Sequence, residues 1–317
     1  MDLRSAGRAP FAALLLVFFC AGIPAHGAKG ASGHAISGAE VLRLTQEYIK
    51  VAPKRFVGSP GHAAAENFIK SHFQPEAAKG NLVTDEFFAR TSIGMMTMRN
   101  FVVKFPGKKD GIIVLASHYE TNYWLKDIDF VGANDGACTT ALLIAIGQYL
   151  RTNPPQGYSV WLLFDDGEES INEQWSDADS LYGVRHIAAK WSADGTLGRI
   201  KAFVLADMIG WKSMNIDKEM NSTPWLLDLL AQAGKDTGHS NYLFKHSGPI
   251  DDDHLPFKQR GVPVLDVIAY EYGPYDDKRG DYAYHHTAED TLDKLSAQSL
   301  QVSADLFVDL LRLIDQH

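Results

Sequence analysis

The chain has 317 residues, of which 45% are hydrophobic, and it carries a formal net charge of −9. With no low-complexity tract, this composition indicates a globular protein that can bury a sizeable core. The acidic balance argues against nucleic acid, and against an anionic membrane surface, as the partner.

The first residues have the three-part pattern of a secretory signal peptide. Arg4 and Arg8 precede an apolar run over residues 11–21, which is too short to span a bilayer as a helix. We therefore expect a signal peptide over residues 1–27 and an exported protein, periplasmic or secreted, with no integral membrane segment after cleavage. The alternative is a buried N-terminal helix. After cleavage Cys138 would be the only cysteine, so no internal disulfide is expected.

Helical and strand-like segments alternate along the rest of the chain. Apolar spacing predicts helices over residues 37–52, 62–73, 139–150, 179–191, 223–234 and 296–314. Strand-like runs cover residues 83–88, 98–105, 111–117, 158–164, 201–206 and 262–269. Ser37 and Glu40 form a predicted capping box for the first helix, and Ser59 is the predicted cap of the second.

This alternation predicts the fold class. Apolar strands that alternate with helices favour an α/β fold, with a mostly parallel central sheet and helices on both faces. No Ser/Pro/Gly-rich linker and no internal repeat divides the chain. We therefore expect a single domain over residues 35–317.

Titratable side chains follow the predicted strands, at the edge where open α/β sheets bind ligands. The set is His118, Glu120, Asp135, Asp165, Asp166, Glu168, Glu169, Asp207, His285 and His286. Each residue alone is more often a helix cap or a solvated loop residue. Several acids brought to one edge are costly unless a cation neutralises them, so the whole set predicts a divalent metal of the zinc type.

Glu168 and Glu169 are neighbours in the chain, so their side chains cannot point the same way from the backbone. One can hold a metal while the other faces the substrate as a general base. The alternative is a pair of solvated loop acids.

Six separated motifs carry a resemblance to a known family. They are GSPGH (58–62), SHYE (117–120), GANDGA (132–137), DDGEES (165–170), ADMIG (206–210) and HHTAEDTLDK (285–294). In this order they resemble the zinc aminopeptidases of metallopeptidase family twenty-eight and, within that superfamily, the glutaminyl-peptide cyclotransferases. The resemblance covers nearly the whole chain after residue 27 and implies the zinc-exopeptidase (phosphorylase/hydrolase-like) fold, with peptide or protein N-termini as substrates.

The resemblance implies two alternative sets of site residues. As a two-zinc aminopeptidase, the chain would bind metal with His118, Asp135, Glu169, Asp207 and His286, and Glu168 would activate water. As a cyclotransferase, it would bind one zinc with Asp135, Glu169 and His286. Glu168 would then move a proton, and Asp207 with Asp252 would form a carboxylate network beside it. Zinc would polarise a carbonyl group in both cases.

Further segments resemble the cyclotransferases in particular. Residues 175–188 and 249–268 are similar to their pocket and acidic-network segments, and the resemblance implies that Trp175, His254 and His285 line the substrate pocket. His285 occupies the position, just before the zinc-binding histidine, at which animal cyclotransferases have tryptophan, and Asp266 replaces a histidine. The disulfide beside their active site cannot form, because Cys138 has no partner.

Cyclisation of N-terminal glutamine, with one zinc ion, is the first of three functional hypotheses. An exported aminopeptidase with two zinc ions is the second, because His118 and Asp207 could hold another ion. A binding module that has lost catalysis is the third, and it conflicts with the presence of the ligands and of Glu168. Binding of zinc separates the third hypothesis from the first two.

Overall fold

A computed structural model describes residues 34–176 and 178–317. The predicted signal peptide, residues 1–27, lies outside the described residues. Within the described part of the chain, no helix is both long enough and apolar enough to cross a bilayer.

Ten strands are present in the described residues. They are β1 Leu82–Thr91, β2 Gly94–Phe105, β3 Ile112–His118, β4 Ser159–Asp165, β5 Ile200–Asp207, β6 Ile216–Glu219, β7 Leu243–Gly248, β8 Val264–Ile268, β9 Tyr275–Asp276 and β10 Asp281–Tyr282. Six of them form the central sheet in the order β1-β2-β4-β3-β5-β8. The strands β4, β3, β5 and β8 are parallel to one another. The hairpin β1–β2 extends the sheet on one side, where β2 pairs antiparallel with β4.

Eight α-helices accompany these strands in the same residues. They are α1 Gly38–Val51, α2 Pro60–His72, α3 Gln74–Ala77, α4 Cys138–Thr152, α5 Tyr182–Ala193, α6 Pro224–Asp236, α7 Leu255–Lys258 and α8 Ala297–Gln316. Ser59 caps α2 as predicted, because its hydroxyl accepts the N–H of His62. The capping box predicted at Ser37 is absent: the N–H of Gly38 donates to the Gln301 side chain, and Glu40 pairs with Arg43.

The hydrophobic core has one part on each face of the central sheet. Ile113 and Leu115 of β3 pack with α1, α4, α6 and α8, whereas Ile112 and Val114, which alternate with them, pack with α5 and α7. Each fully buried aliphatic side chain contributes about 1.5–3 kcal/mol to folding. The predicted α/β fold, with helices on both faces of a mostly parallel sheet, is confirmed.

The register of the parallel strands brings their polar C-terminal residues to one edge. His118, the last residue of β3, is paired with Asp165, the last residue of β4. Asp207, the last residue of β5, is paired with Ile268 at the end of β8. Because the pairing is in register, the loops that follow these strands start side by side.

Arg55 ties the segment before α2 to this edge. Its side chain is fully buried, and its guanidinium donates to the carbonyl oxygens of Tyr119, Val131, Gly132 and Asp135 at 2.6–3.0 Å. These four acceptors lie after β3 and in the loop before α4. One side chain therefore holds two loops of the edge together.

Replacing Arg55 with methionine keeps the length of the side chain and removes its donors. Four carbonyl oxygens then lose a donor, and among the described residues only those of Tyr119 and Gly132 keep another one, from the Tyr48 hydroxyl and the Ala137 N–H. We therefore expect the free energy of unfolding to fall by about 3 kcal/mol. Urea denaturation followed by circular dichroism measures it. Arg312→Met is the control, since Arg312 makes exposed ion pairs with Asp236 and Asp309 and should cost less than about 1 kcal/mol. Equal losses in the two variants would contradict this role of Arg55.

Candidate active site

The predicted metal ligands and the predicted base, Glu168, converge on the C-terminal edge of the sheet. His118 and Asp207 end β3 and β5, and Glu168 and Glu169 follow β4. Two more come from loops: Asp135 lies in the kinked segment Ala133–Ala137 before α4, and His286 lies after β10.

Asp135 is the centre of this group. Its Oδ1 lies 3.2 Å from His118 Nε2, and its Oδ2 lies 3.3 Å from His286 Nε2. His118 Nε2 is also 3.4 Å from Asp207 Oδ1, and His286 Nε2 is 3.2 Å from Glu169 Oε1. The carboxylate of Asp135 therefore lies between two adjacent groups of donors.

The donor atoms suit a metal of the zinc type. Two ligand atoms about 2.0–2.1 Å from a tetrahedral zinc ion are about 3.3 Å apart, close to the separations in this site. Asp135 Oδ2 and Asp207 Oδ1 are buried and have no hydrogen-bond partner among the described residues. Such atoms are costly to bury unless an ion or ligand meets them.

The charge balance of the site supports the same interpretation. Burial acts to raise the pKa of Asp135, yet the imidazoles of His118 and His286 outweigh it and hold this pKa well below its usual range. Burial, followed by the charge of Asp135, raises the pKa of Glu169 well above its usual value. A cation beside Glu169 would favour the ionised form that burial and Asp135 disfavour.

Glu168 and Glu169 face different partners. Glu169 approaches His286, whereas Glu168 Oε2 lies 4.0 Å from His118 Nδ1. Burial first, and then the charge of Glu169, raise the pKa of Glu168 well above its usual value. The charges of Asp252 and Asp207 act in the same direction, so Glu168 can accept and hold a proton.

Three residues that the sequence analysis did not single out as site residues orient the predicted ones. Asp290 accepts the backbone N–H groups of Asn134 and Asp135 at 2.8 and 3.2 Å, and Tyr272 donates its hydroxyl to Asp290. Asn122 donates its side-chain amide to Glu169. Asp290 belongs to the HHTAEDTLDK motif, which was the only signal that could have identified it, and Asn122 follows SHYE by two positions.

The backbone is strained at His286 and at the residue that follows Asp207. His286 has φ 51°, and Met208, directly after Asp207, has φ 50°. Non-glycine residues adopt this region rarely, and such strain is typical of functional sites.

A cavity of about 530 Å³ opens beside these residues. Among the predicted site residues, its lining includes Asp135, Glu168, Glu169, Trp175, Asp207, Asp252, His285 and His286. The imidazole of His285 stacks on that of His286 with ring centroids 3.8 Å apart, and its Nδ1 is 2.8 Å from Asp281 Oδ2. The carboxylates and the two imidazoles therefore face a common space that a small substrate group can enter.

His254 does not line this cavity, contrary to the sequence-based expectation. Its ring is fully buried. His254 Nε2 lies 3.5 Å from Glu219 Oε2, and His254 Nδ1 lies 3.6 Å from Asp266 Oδ2. Burial lowers the pKa of His254 to about 3, so its imidazole is neutral. The residue precedes the short helix α7, which packs against β8 and turns this side chain into the interior.

Comparisons with known proteins show which family the chain belongs to. The profile of Peptidase family M28 matches residues 100–311. The chain is 30% identical over 292 residues to the glutaminyl-peptide cyclotransferase of Boiga irregularis, across 80% of this chain and 77% of that protein. A glutaminyl cyclase crystal structure from an Acidobacteriales bacterium is 63% identical, with a TM-score of 0.88 over 91% of this chain and 98% of that one.

A more distant structure shows only that the fold is shared. It is a Zn-dependent exopeptidase from Parabacteroides distasonis, 20% identical, with a TM-score of 0.75 over 89% of this chain and 99% of that one. The family match covers more than half of the chain, and the similarity to Boiga irregularis extends over most of both proteins. The chain belongs to peptidase family M28 and, within it, to the glutaminyl-peptide cyclotransferases.

Proposed function

We propose that this protein is a zinc-dependent glutaminyl-peptide cyclotransferase, which converts the N-terminal glutamine of peptides to pyroglutamate and releases ammonia. The observation that carries the proposal is the cavity in which Glu168, Asp207 and Asp252 lie beside the cluster of Asp135, Glu169 and His286. The 63% identity to a glutaminyl cyclase supports the same activity.

We assign Asp135, Glu169 and His286 as the ligands of one zinc ion. Their donor atoms are those that zinc prefers, and their separations of 3.2–3.3 Å suit a shared ion. When bound there, zinc polarises the carbonyl of the glutamine γ-amide. His118 and Asp207 point to the other oxygen of Asp135 and form the second group of donors.

The protein's own residues handle the proton. In the reaction the substrate α-nitrogen forms a bond to the γ-amide carbon, and the bond from that carbon to the amide nitrogen breaks. Glu168 is placed to take the proton that the α-amine loses and to give it to the departing ammonia. Burial, the charge of Glu169 and then the charges of Asp252 and Asp207 raise the pKa of Glu168, which suits both halves of this transfer. The indole of Trp175 limits access of water, which would otherwise compete with the amine.

An exported zinc aminopeptidase is the second candidate function. One observation favours it: donor atoms of His118, Asp135 and Asp207 lie within 4.8 Å of one another, as a second ion requires. A peptide that begins with glutamine and another that begins with leucine distinguish the two functions by mass spectrometry. Loss of ammonia from the first supports the cyclotransferase, whereas release of free leucine from the second supports the aminopeptidase.

We also propose that residues 1–27 direct export. The support is their sequence pattern, with Arg4 and Arg8 before a short apolar run. Fractionation of cells that express the full chain tests this proposal.

Replacing Glu168 with glutamine removes the proton transfer and leaves the shape of the side chain. We expect turnover of a glutamine-first peptide to fall by about 10²–10⁴-fold, while zinc content and thermal stability stay near those of the parent protein. Ammonia release measures the turnover, and elemental analysis measures zinc. Activity above about one tenth of the parent value would contradict the role of Glu168.

Glu169→Ala and His286→Ala each remove one proposed ligand. We expect either variant to purify with less than half of the parent zinc content, because three protein ligands hold the ion. His186→Ala is the control: His186 lies half-exposed on α5, does not line the cavity and should leave the zinc content unchanged. Unchanged zinc in both ligand variants would refute the assignment.

Gly136→Ala tests the arrangement around Asp135 without touching a ligand. A Cβ at Gly136 would lie 2.8 Å from the Cε1 atom of His118, and the backbone there has φ +80°. Gly195 has φ +82° with nothing within 4 Å of an added Cβ, so Gly195→Ala carries the same backbone strain without the contact.

We expect Gly195→Ala to lose about 1 kcal/mol of stability, because alanine is strained at positive φ, and Gly136→Ala to lose more, because its Cβ also displaces His118. Only Gly136→Ala should bind zinc at least about tenfold more weakly, as measured by competition with a chromogenic chelator. Equal zinc affinity in the two variants would show that the packing of His118 against this turn does not shape the site.

A further inference from the structure

The cavity extends beyond the proposed zinc ligands. Its outer wall consists of Asp217 on β6, His246 on β7, Tyr270 and Glu271 after β8, and Tyr282 on β10. None of these residues takes part in the proposed chemistry. We call these five residues the outer wall.

A continuous row of rings connects the outer wall to the proposed metal site. His285 stacks on His286 at 3.8 Å between centroids, and Tyr270 lies 5.2 Å from His285. The Tyr282 ring follows at 5.9 Å from that of Tyr270. An extended peptide advances about 3.3–3.6 Å per residue. The Tyr270 ring lies within about 9 Å of the His286 ring, a distance that two to three extended residues span, so we place the outer wall opposite the second and third residues of a peptide whose N-terminal residue occupies the site.

The outer wall carries two carboxylates and no lysine or arginine. Asp217 is only 5% exposed. Its Oδ2 accepts the backbone N–H of Tyr270 at 3.0 Å, and no donor among the described residues bonds to its Oδ1. A carboxylate buried to this degree gains from a cationic partner, because burial disfavours its charged form.

Glu271, whose charge acts on Asp217, is held in place by two partners. Its Oε1 accepts the hydroxyl of Tyr282 at 2.9 Å, and its Oε2 lies 2.9 Å from His246 Nε2. Fixing the carboxylate in this way reduces the entropy that a ligand must remove on binding. The tyrosine rings offer apolar faces along which an aliphatic chain with a charged end can lie.

Building on the proposed function, we infer that Asp217 and Glu271 form a subsite for the side chain of lysine or arginine at the second or third position of the peptide. The aliphatic part of that side chain contacts Tyr270 and Tyr282, and the charged end meets the two carboxylates. The enzyme therefore selects glutamine-first peptides that are basic at one of the two positions after the glutamine.

The test compares matched peptides on the full chain with zinc bound. Two peptides carry lysine at the second or at the third position after an N-terminal glutamine, and two carry norleucine there, which has the same aliphatic chain without the ammonium group. We expect kcat/KM to be about tenfold higher for one lysine peptide than for its norleucine counterpart, chiefly through KM, because remote binding acts equally on the ground and transition states. The ratio should shrink as the salt concentration is raised from about 20 to about 500 mM, because salt screens the attraction between the ammonium group and the carboxylates.

Asp217→Asn and Glu271→Gln assign the effect to these carboxylates. Asparagine retains an acceptor for the N–H of Tyr270, and glutamine retains one for the hydroxyl of Tyr282. In each variant the lysine-to-norleucine ratio should fall to about twofold or less. Asp110→Asn is the control: Asp110 is exposed, pairs with Arg199 and does not line the cavity, so the ratio should stay at its parent value.

Three outcomes overturn the inference. If the unmutated protein turns over the lysine and norleucine peptides with nearly equal kcat/KM, the subsite is refuted and the proposed function stands. The same holds if the preference for lysine persists in both variants. Failure to form pyroglutamate from any of the four peptides removes the proposed function and the subsite with it. The norleucine peptides thus distinguish the two failures.

Discussion

The two carboxylate oxygens of Asp135 contact the imidazoles of His118 and His286, one each. Several other carboxylates lie close by at the same edge of the sheet. Two like charges about 4 Å apart repel by about 4 kcal/mol at an effective dielectric constant of 20. Domains are stable by only about 5–15 kcal/mol in total. Glu168, Glu169 and their neighbours cannot all be ionised there at low cost, so a cation bound among them would also stabilise the fold.

The sheet and two buried polar side chains make this crowding possible. The parallel register sets His118 and Asp207 at the ends of neighbouring strands, where their loops begin together. Arg55 and Asp290 then hold the loop that contains Asp135. Arg55 donates to the carbonyl oxygen of Asp135, and Asp290 accepts the N–H of Asp135. The position of Asp135 therefore depends on residues from three distant parts of the chain, which explains why one carboxylate can serve two imidazoles.

Much of this architecture could be predicted because the relevant signals are local. The apolar runs that became β3, β4, β5 and β8 have short, regular patterns, and the acids after them follow from strand ends alone. The strands β6 and β7 were missed, since β6 has four residues and β7 is largely exposed and polar. Without that pair of strands, the places of Asp217 and His246 in the cavity wall could not be foreseen.

Long-range contacts account for the other differences. The burial of His254 between Glu219 and Asp266 depends on how α7 packs, which no spacing along the chain encodes. The first turn of α1 likewise bonds to Gln301 on α8 rather than to its own Ser37, because tertiary contact supplies a better partner than the local cap. The motifs identified the residues at the site, and only the fold could show which of them share a cavity.

The single cysteine in the described residues, Cys138, is fully buried at the start of α4 and donates its thiol to the Asn134 carbonyl. Burial raises its pKa well above the usual value, so the reactive thiolate form is suppressed. The loop beside it is held by Arg55 and Asp290 instead of a covalent cross-link. Thiol–disulfide exchange therefore cannot change the geometry around Asp135, and the shape of this centre should be the same in an oxidising compartment as in a reducing one.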